Sequence, residues 1–155
     1  PLILKSENLD FYIAFLRGFT DCDGCLTFEK KNGKYSYFKR KYHYYPKIFI
    51  RSVSLKLIED IKFMLNSLSI KNEFYTMRWH KENEVDQYVI RLNGSKALDF
   101  IKIVGFNNPV SLTKYKIWKR FGFCPTKITL DERRKILKDE INPYSYYIGP
   151  VAQLG

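Results

Sequence analysis

From Phe11 to Leu16 apolar residues fill the first half of a run that ends at Gly24, while the small residues Ala14, Gly18 and Cys22 recur every four and so line one stripe of an α-helix. Asn8 can cap this helix and Asp10 sits in its first turn, where negative charge suits the helix dipole, so a start near Leu9 is expected. Gly24 is expected to end it in the left-handed conformation that glycine adopts cheaply. The period then drops to two: Leu26 and Phe28 alternate with Thr27, Glu29 and Lys31, and Asn32-Gly33 reads as a hairpin turn. A second alternating run puts Ile48 and Ile50 inward and Lys47, Phe49 and Arg51 outward. Ser54 caps a helix carrying Leu57, Ile58, Ile61, Met64, Leu65 and Leu68 at helical spacing.

Strands near Phe74–Trp79 and Gln87–Leu92 follow, joined by a polar turn around Lys81–Glu84. In the latter strand Tyr88, Ile90 and Leu92 are expected inside, with Gln87, Val89 and Arg91 on the other face; Arg78 and His80 share a parity that the pattern leaves unassigned. Leu98, Phe100, Ile101, Ile103 and Val104 mark another helix, stopped at Gly105. Asn107-Asn108-Pro109 breaks the chain, and Ser111–Phe121 is a basic helix ended by Gly122. Thr129-Leu130-Asp131-Glu132 is a capping box opening a last helix that finishes before Pro143. Tyr144, Tyr146 and Tyr147 form a tail without pattern. Helix, two strands, helix, two strands, then helices predicts an α+β fold: one twisted antiparallel sheet with helices on one face. A single domain over residues 1–155 is expected, its core about 8–122 and a C-terminal helix and tail about 123–155.

Charge changes the picture next. Lys and Arg number 27 against 16 Asp and Glu, a formal net charge of +11, which calls for a polyanionic partner, nucleic acid before an acidic membrane. No apolar run approaches the ~20 residues of a membrane span and no signal-peptide pattern opens the chain, so a soluble, intracellular protein with no membrane partner is expected. Pro1 suggests a processed or trimmed start. Three cysteines argue against a disulfide framework, and Cys22-x-x-Cys25 lacks the second half that a zinc site needs. From Lys30 to Lys47 the cations Lys30, Lys31, Lys34, Lys39, Arg40, Lys41 and Lys47 interleave with Tyr35, Tyr37, Phe38, Tyr42, Tyr44 and Tyr45, and no acid stands between Glu29 and Glu59. A solvated face is one reading; a sheet surface meeting phosphates and base edges fits the aromatic content better.

Asp21 and Asp23 fall where the helix dipole is already negative, so the pair costs stability unless a cation neutralises it, and a bound metal would do so. Leu16-Arg17-Gly18-Phe19-Thr20-Asp21-Cys22-Asp23-Gly24 resembles the LAGLIDADG signature of homing endonucleases. It matches outright at Leu16, Gly18, Asp21, Asp23 and Gly24 and by type at Phe19 and Cys22. Thr20 departs mildly; Arg17 replaces a small residue and must leave the helix seam or run along its edge.

The resemblance implies an αββαββα domain with a saddle-shaped sheet and an intron-encoded, site-specific endonuclease that cuts double-stranded DNA across the minor groove. It implies Asp23 and the backbone carbonyl of Cys22 as ligands of Mg²⁺ or Mn²⁺, with Asp21 supporting the helix end. The basic catalytic partner best matches Lys114, with Lys116 as rival, and a water-positioning residue would lie near Ser52 and Ser54. A single motif implies a homodimer, built on a helix seam of Ala14, Gly18, Asp21 and Cys22, and a long pseudo-palindromic site. The expected DNA surface comprises Thr27, Glu29, Lys31, Lys34, Tyr35, Tyr37, Lys39, Arg40, Lys47, Phe49, Arg51, Arg78, Gln87, Val89 and Arg91. An RNA-binding intron maturase and a catalytically inactive DNA-binding regulator on the same fold are the alternatives.

Overall fold

The computed structural model describes residues 8–32, 42–78 and 85–146, with backbone alone at residues 31, 32, 42 and 43. The hairpin turn at Gly33, the basic run at Lys34, Tyr35, Tyr37, Lys39, Arg40 and Lys41, and Trp79, His80, the turn at 81–84 and Tyr147 lie outside the described residues. The elements are α1 (Leu9–Asp23), β1 (Cys25–Asn32), β2 (Tyr42–Ser52), α2 (Leu55–Ser67), β3 (Glu73–Met77), β4 (Gln87–Asn93), α3 (Ser95–Ile103), α4 (Pro109–Phe121) and α5 (Leu130–Leu137), then a short 3-10 turn (Pro143–Tyr146). They fall into two compact units, Pro1–Glu29 with Tyr45–Asn107, and Lys30–Tyr44 with Asn108–Gly155.

The strands order as β1-β2-β4-β3 in one sheet, with β4 antiparallel to both of its neighbours. Alternation decides the two faces of the sheet. Leu26, Ile48, Ile50, Ile90 and Leu92 are all buried, and the register pairs Ile48 with Leu92 and Ile50 with Ile90, so these apolar side chains share one face. Phe74 stands opposite Ile90 on that face, and Lys62 of α2 lies over its ring, which identifies the face as the helix-covered one. There α2 buries Ile58, Ile61, Met64 and Leu65, and α3 buries Ala97 and Phe100. A fully buried Leu or Ile is worth about 1.5–3 kcal/mol, so this layer carries most of the unit's stability.

Two expectations need correction. Val89 has outward parity, yet its exposure is 0%: it stands on an inner strand, flanked in register by the larger Arg51 of β2 and Tyr75 of β3. Gly24 ends α1 with φ −81 and ψ 155, ordinary extended backbone, so a left-handed turn is not what it provides.

In the second unit α4 starts at Pro109, two residues before the expected Ser111. The Asn108 side chain accepts from the Val110 amide, and proline fits the first helical position because its missing N–H would have no partner there. Gly122 ends the helix at φ 82, where glycine is the residue of choice. Thr129 and Glu132 close the expected capping box ahead of α5. Ile117, Ile128 and Ile136 form the core, and the buried Arg133 ties α5 to α4 by donating to the Thr113 hydroxyl at 3.1 Å and to the Ile128 carbonyl at 2.8 Å. The tyrosine tail is not idle: the Tyr144 ring packs 5.2 Å from Phe123, and the Tyr146 hydroxyl donates to Glu132 at 3.0 Å.

Candidate active site and nucleic-acid interface

Helix α1 sorts its residues onto three stripes. Tyr12, Leu16 and Thr20, four apart, are the buried ones, and the Thr20 hydroxyl removes its polarity from the interior by donating to the Leu16 carbonyl at 2.6 Å. Arg17 and Asp21 form the next stripe and grip the chain after α3. The Arg17 guanidinium donates through Nε to the Val104 carbonyl at 2.7 Å, placing a cation on the negative end of α3. The Asp21 carboxylate accepts from the Asn107 amide, at 2.9 Å to its nearer oxygen. Arg17 has therefore left the small-residue stripe altogether, as a long cation had to. The third stripe, Ala14, Gly18 and Cys22, is exposed, and a Cβ added at Gly18 would meet nothing within 4 Å. Phe11, three residues before Ala14 and 57% exposed, extends the same stripe, which alternation among so many apolar residues had concealed.

The helix passes into β1 through Gly24 alone. Its amide donates to the Thr20 carbonyl at 3.0 Å, and a Cβ here would lie 2.6 Å from that oxygen, so the glycine is needed for close approach. Asp23 is thereby held at the helix end with its side chain exposed. Of the two acids, Asp21 is engaged by a backbone N–H, whereas Asp23 has no hydrogen-bond or ion-pair partner among the described residues. No basic residue stands in the last turn of α1 to offset the charge.

A hard divalent cation prefers oxygen donors, and this end offers the Asp23 carboxylate beside the carbonyls of the last helical residues after Thr20, which lack intrahelical donors. The donor set fits in kind, but no group of three or more His, Cys, Asp or Glu side chains capable of holding a metal occurs among the described residues.

The sheet face opposite α2 and α3 carries alternating charge and aromatic surface among the described residues. Lys47 pairs with Glu29, and the Arg51 guanidinium lies 5.3 Å over the Phe49 ring. Arg91 lies 5.3 Å over the Tyr75 ring and donates twice to Glu73. Register thus brings Lys47, Phe49, Arg51, Gln87 and Arg91 to one face, together with Glu73, Tyr75 and Met77, which the sequence did not assign because Phe74 and Tyr75 make both parities look apolar. Thr27 is exposed. Lys31 lies in β1 with only its backbone described. Arg78 is exposed and follows the last residue of β3, so strand parity no longer assigns it to a face. Val89, at 0% exposure, offers this face no surface for a direct contact.

Lys114 and Lys116 both lie on α4 of the second unit, Lys114 half-buried and Lys116 exposed. Ser52 and Ser54 are engaged at the start of α2: the Ser52 hydroxyl accepts from the Ser54 amide, and Ser54 caps the helix through the Leu57 amide.

The fold thus joins a four-stranded antiparallel sheet to an exposed small-residue helix that ends in an acid at the sheet. The family model for the LAGLIDADG-like domain matches residues 10–105, and the chain belongs to that family. Among solved structures the chain is similar to the homing endonuclease I-CvuI in complex with the I-CreI target, at 14% identity and a TM-score of 0.48, covering 85% of this chain and 96% of that one. It is also similar to the archaeal intron-encoded homing endonuclease I-Vdi141I complexed with DNA, at 13% identity and 0.48, covering 86% and 98%. A third is the homing endonuclease I-TnaI, at 12% identity and 0.46, covering 83% and 97%. No curated protein matches significantly.

Proposed function

We propose that this chain is a site-specific, divalent-metal-dependent DNA endonuclease that acts as a homodimer on a long pseudo-palindromic site. The observation that carries the reading is the exposed stripe Phe11, Ala14, Gly18 and Cys22 leading to the exposed carboxylate of Asp23, which has no partner among the described residues. An open small-residue seam permits close approach by a second helix, and a two-fold interface sets the same patch of each copy against the other. Two copies so packed bring two Asp23 side chains together and complete the half-site that one chain offers. Bound there, Mg²⁺ or Mn²⁺ would activate water and stabilise charge on the scissile phosphate. Asp23 and the Cys22 carbonyl would hold the ion, and Lys114 would be the basic partner that offsets negative charge on the phosphate. The uncovered sheet face binds the duplex, its cations on phosphates and its aromatic and polar side chains toward base edges.

The test is cleavage of a selected duplex by Asp23→Asn. Retained binding with loss of Mg²⁺-dependent cutting is expected, and two chains per duplex should sediment together. Full cleavage by Asp23→Ala, or undiminished cleavage in EDTA, overturns the reading. Binding to intron RNA with splicing assistance that Asp23→Asn leaves untouched would support a maturase instead. Lys114→Met should slow cutting without weakening binding; if Lys116→Met alone does so, the role passes to Lys116.

A further inference from the structure

Arg91 on the open sheet face is fixed on two sides. In its own plane, Nε and Nη2 donate to the same Glu73 oxygen at 3.0 and 2.7 Å; from below, the Tyr75 ring lies 5.3 Å from the guanidinium carbon. Glu73 is itself held, because its other oxygen accepts from Lys96 at 2.8 Å and Asn93 donates to the shared oxygen at 3.3 Å. Register places Glu73 directly opposite Arg91 across the β3–β4 pair, so the arrangement is set by the ladder. The Arg91 and Glu73 side chains each remain 36% exposed.

An arginine has five N–H donors, and this carboxylate takes those along one side. The end of the fork is left, one N–H on each terminal nitrogen pointing the same way, and Nη1 has no hydrogen-bond partner among the described residues. That edge matches the O6 and N7 acceptors that guanine presents in the major groove, the groove that admits a β-ribbon. A phosphate offers two acceptors as well, but charge separates the two ligands. Glu73 cancels one of the two positive charges of Arg91 and Lys96, which weakens the pull of the backbone and leaves the hydrogen-bond geometry intact. The carboxyl stays ionised through ordinary pH, since Lys96 and Arg91 hold its pKa down at about 2.

We infer that Glu73 is a specificity-positioning residue, holding Arg91 to read a guanine in each half-site of the target. This rests on the DNA-binding reading above and deepens it. Selection from randomised duplex DNA, with Ca²⁺ as the sole divalent cation, tests it on wild type, Arg91→Ala and Glu73→Ala. Wild type should select a guanine at one position per half-site, and Arg91→Ala should lose that discrimination by roughly 10- to 100-fold at that position alone. Glu73→Ala should lose the same guanine while binding non-specific duplex more tightly, with a salt slope steeper by about one to two units, because Arg91 and Lys96 turn to phosphates. A purely structural Glu73 would instead weaken binding to every sequence alike. Glu73→Gln keeps an acceptor oxygen without the charge, and should show the same loss in weaker form even where the alanine variant folds poorly. A site selected identically by wild type and Arg91→Ala, or an undiminished guanine preference in the Glu73 variants, overturns the inference while the DNA reading stands. If wild type selects no duplex at all, the DNA reading falls and takes this inference with it.

Discussion

Gly24 shows how a single residue can be needed for a reason that its identity alone does not reveal. Its backbone dihedrals are open to any residue, but a Cβ would sit 2.6 Å from the Thr20 carbonyl oxygen and 2.8 Å from the Thr20 Cα, and neither backbone atom can yield without unwinding the end of α1. Gly24→Ala should therefore cost about 1–3 kcal/mol, the usual penalty of forced overpacking, read as a lower denaturation midpoint at unchanged slope. An unchanged midpoint would mean that the helix end gives way freely. Glu73 makes a prediction in pH. Its pKa falls from 4.5 to about 2 in the folded chain through its bonds to Lys96 and then Arg91, so the unfolded state binds the proton more readily. The stabilisation is present above about pH 4.5 and is lost as pH falls towards 2. Wild type should melt above Glu73→Gln at neutral pH, and the two melting temperatures should converge between those limits; curves parallel down to pH 2 would show that the network stabilises nothing.

At the scale of elements, the grip of α1 on the segment after α3 is the feature that orients the candidate site. Arg17 and Asp21 stand one helical turn apart and hold Val104 and Asn107, so two bonds fix both the rotation and the height of α1 against that segment. Arg17→Ala and Asp21→Ala should each lower stability by about 1–2 kcal/mol, and Asp21→Ala should speed hydrogen exchange at the Asn107 amide. A double-mutant cycle summing to zero coupling would mean that the contacts act independently. The elements themselves were legible in the sequence wherever one periodicity held, as in α2, β2 and the capped start of α5. The motif also located Asp21 and Asp23. What the chain did not disclose was long-range: that Arg17 answers a carbonyl 87 residues away, that Val89 is flanked by Arg51 and Tyr75, and that Glu73 faces Arg91. Each depends on strand register or helix rotation, and local alternation does not encode either.

For the whole molecule the question is what covers the stripe on α1. Cys22 and Cys25 are exposed, whereas burial pushes the Cys124 thiol up and keeps it protonated. In a Cys25→Ser background a neutral-pH thiol reagent should modify Cys22 rapidly and Cys124 slowly. If two copies meet along Ala14, Gly18 and Cys22, then raising the protein concentration or adding duplex should slow Cys22 labelling in step with the appearance of the dimer by sedimentation. Labelling of Cys22 that stays fast in a two-chain complex would place the contact elsewhere. Gly18→Leu should abolish assembly and leave the fold intact, because Gly18 is exposed and a Cβ there meets nothing within 4 Å among the described residues.

The passage from α1 to β1 through one residue has a consequence for how such a chain can diverge. A loop absorbs an inserted or deleted residue; this junction has no loop to absorb it. One extra residue would advance β1 by a single step, turning Leu26 out into water and Thr27 into the core, and rotating every side chain that follows away from its surface. Substitutions can accumulate along β1 one position at a time, altering what the strand contacts, while a change of length there should unfold the chain. Repertoires built by recombination or random indels should therefore yield folded survivors with cuts inside other connections and almost none with a shifted frame between Asp23 and Cys25.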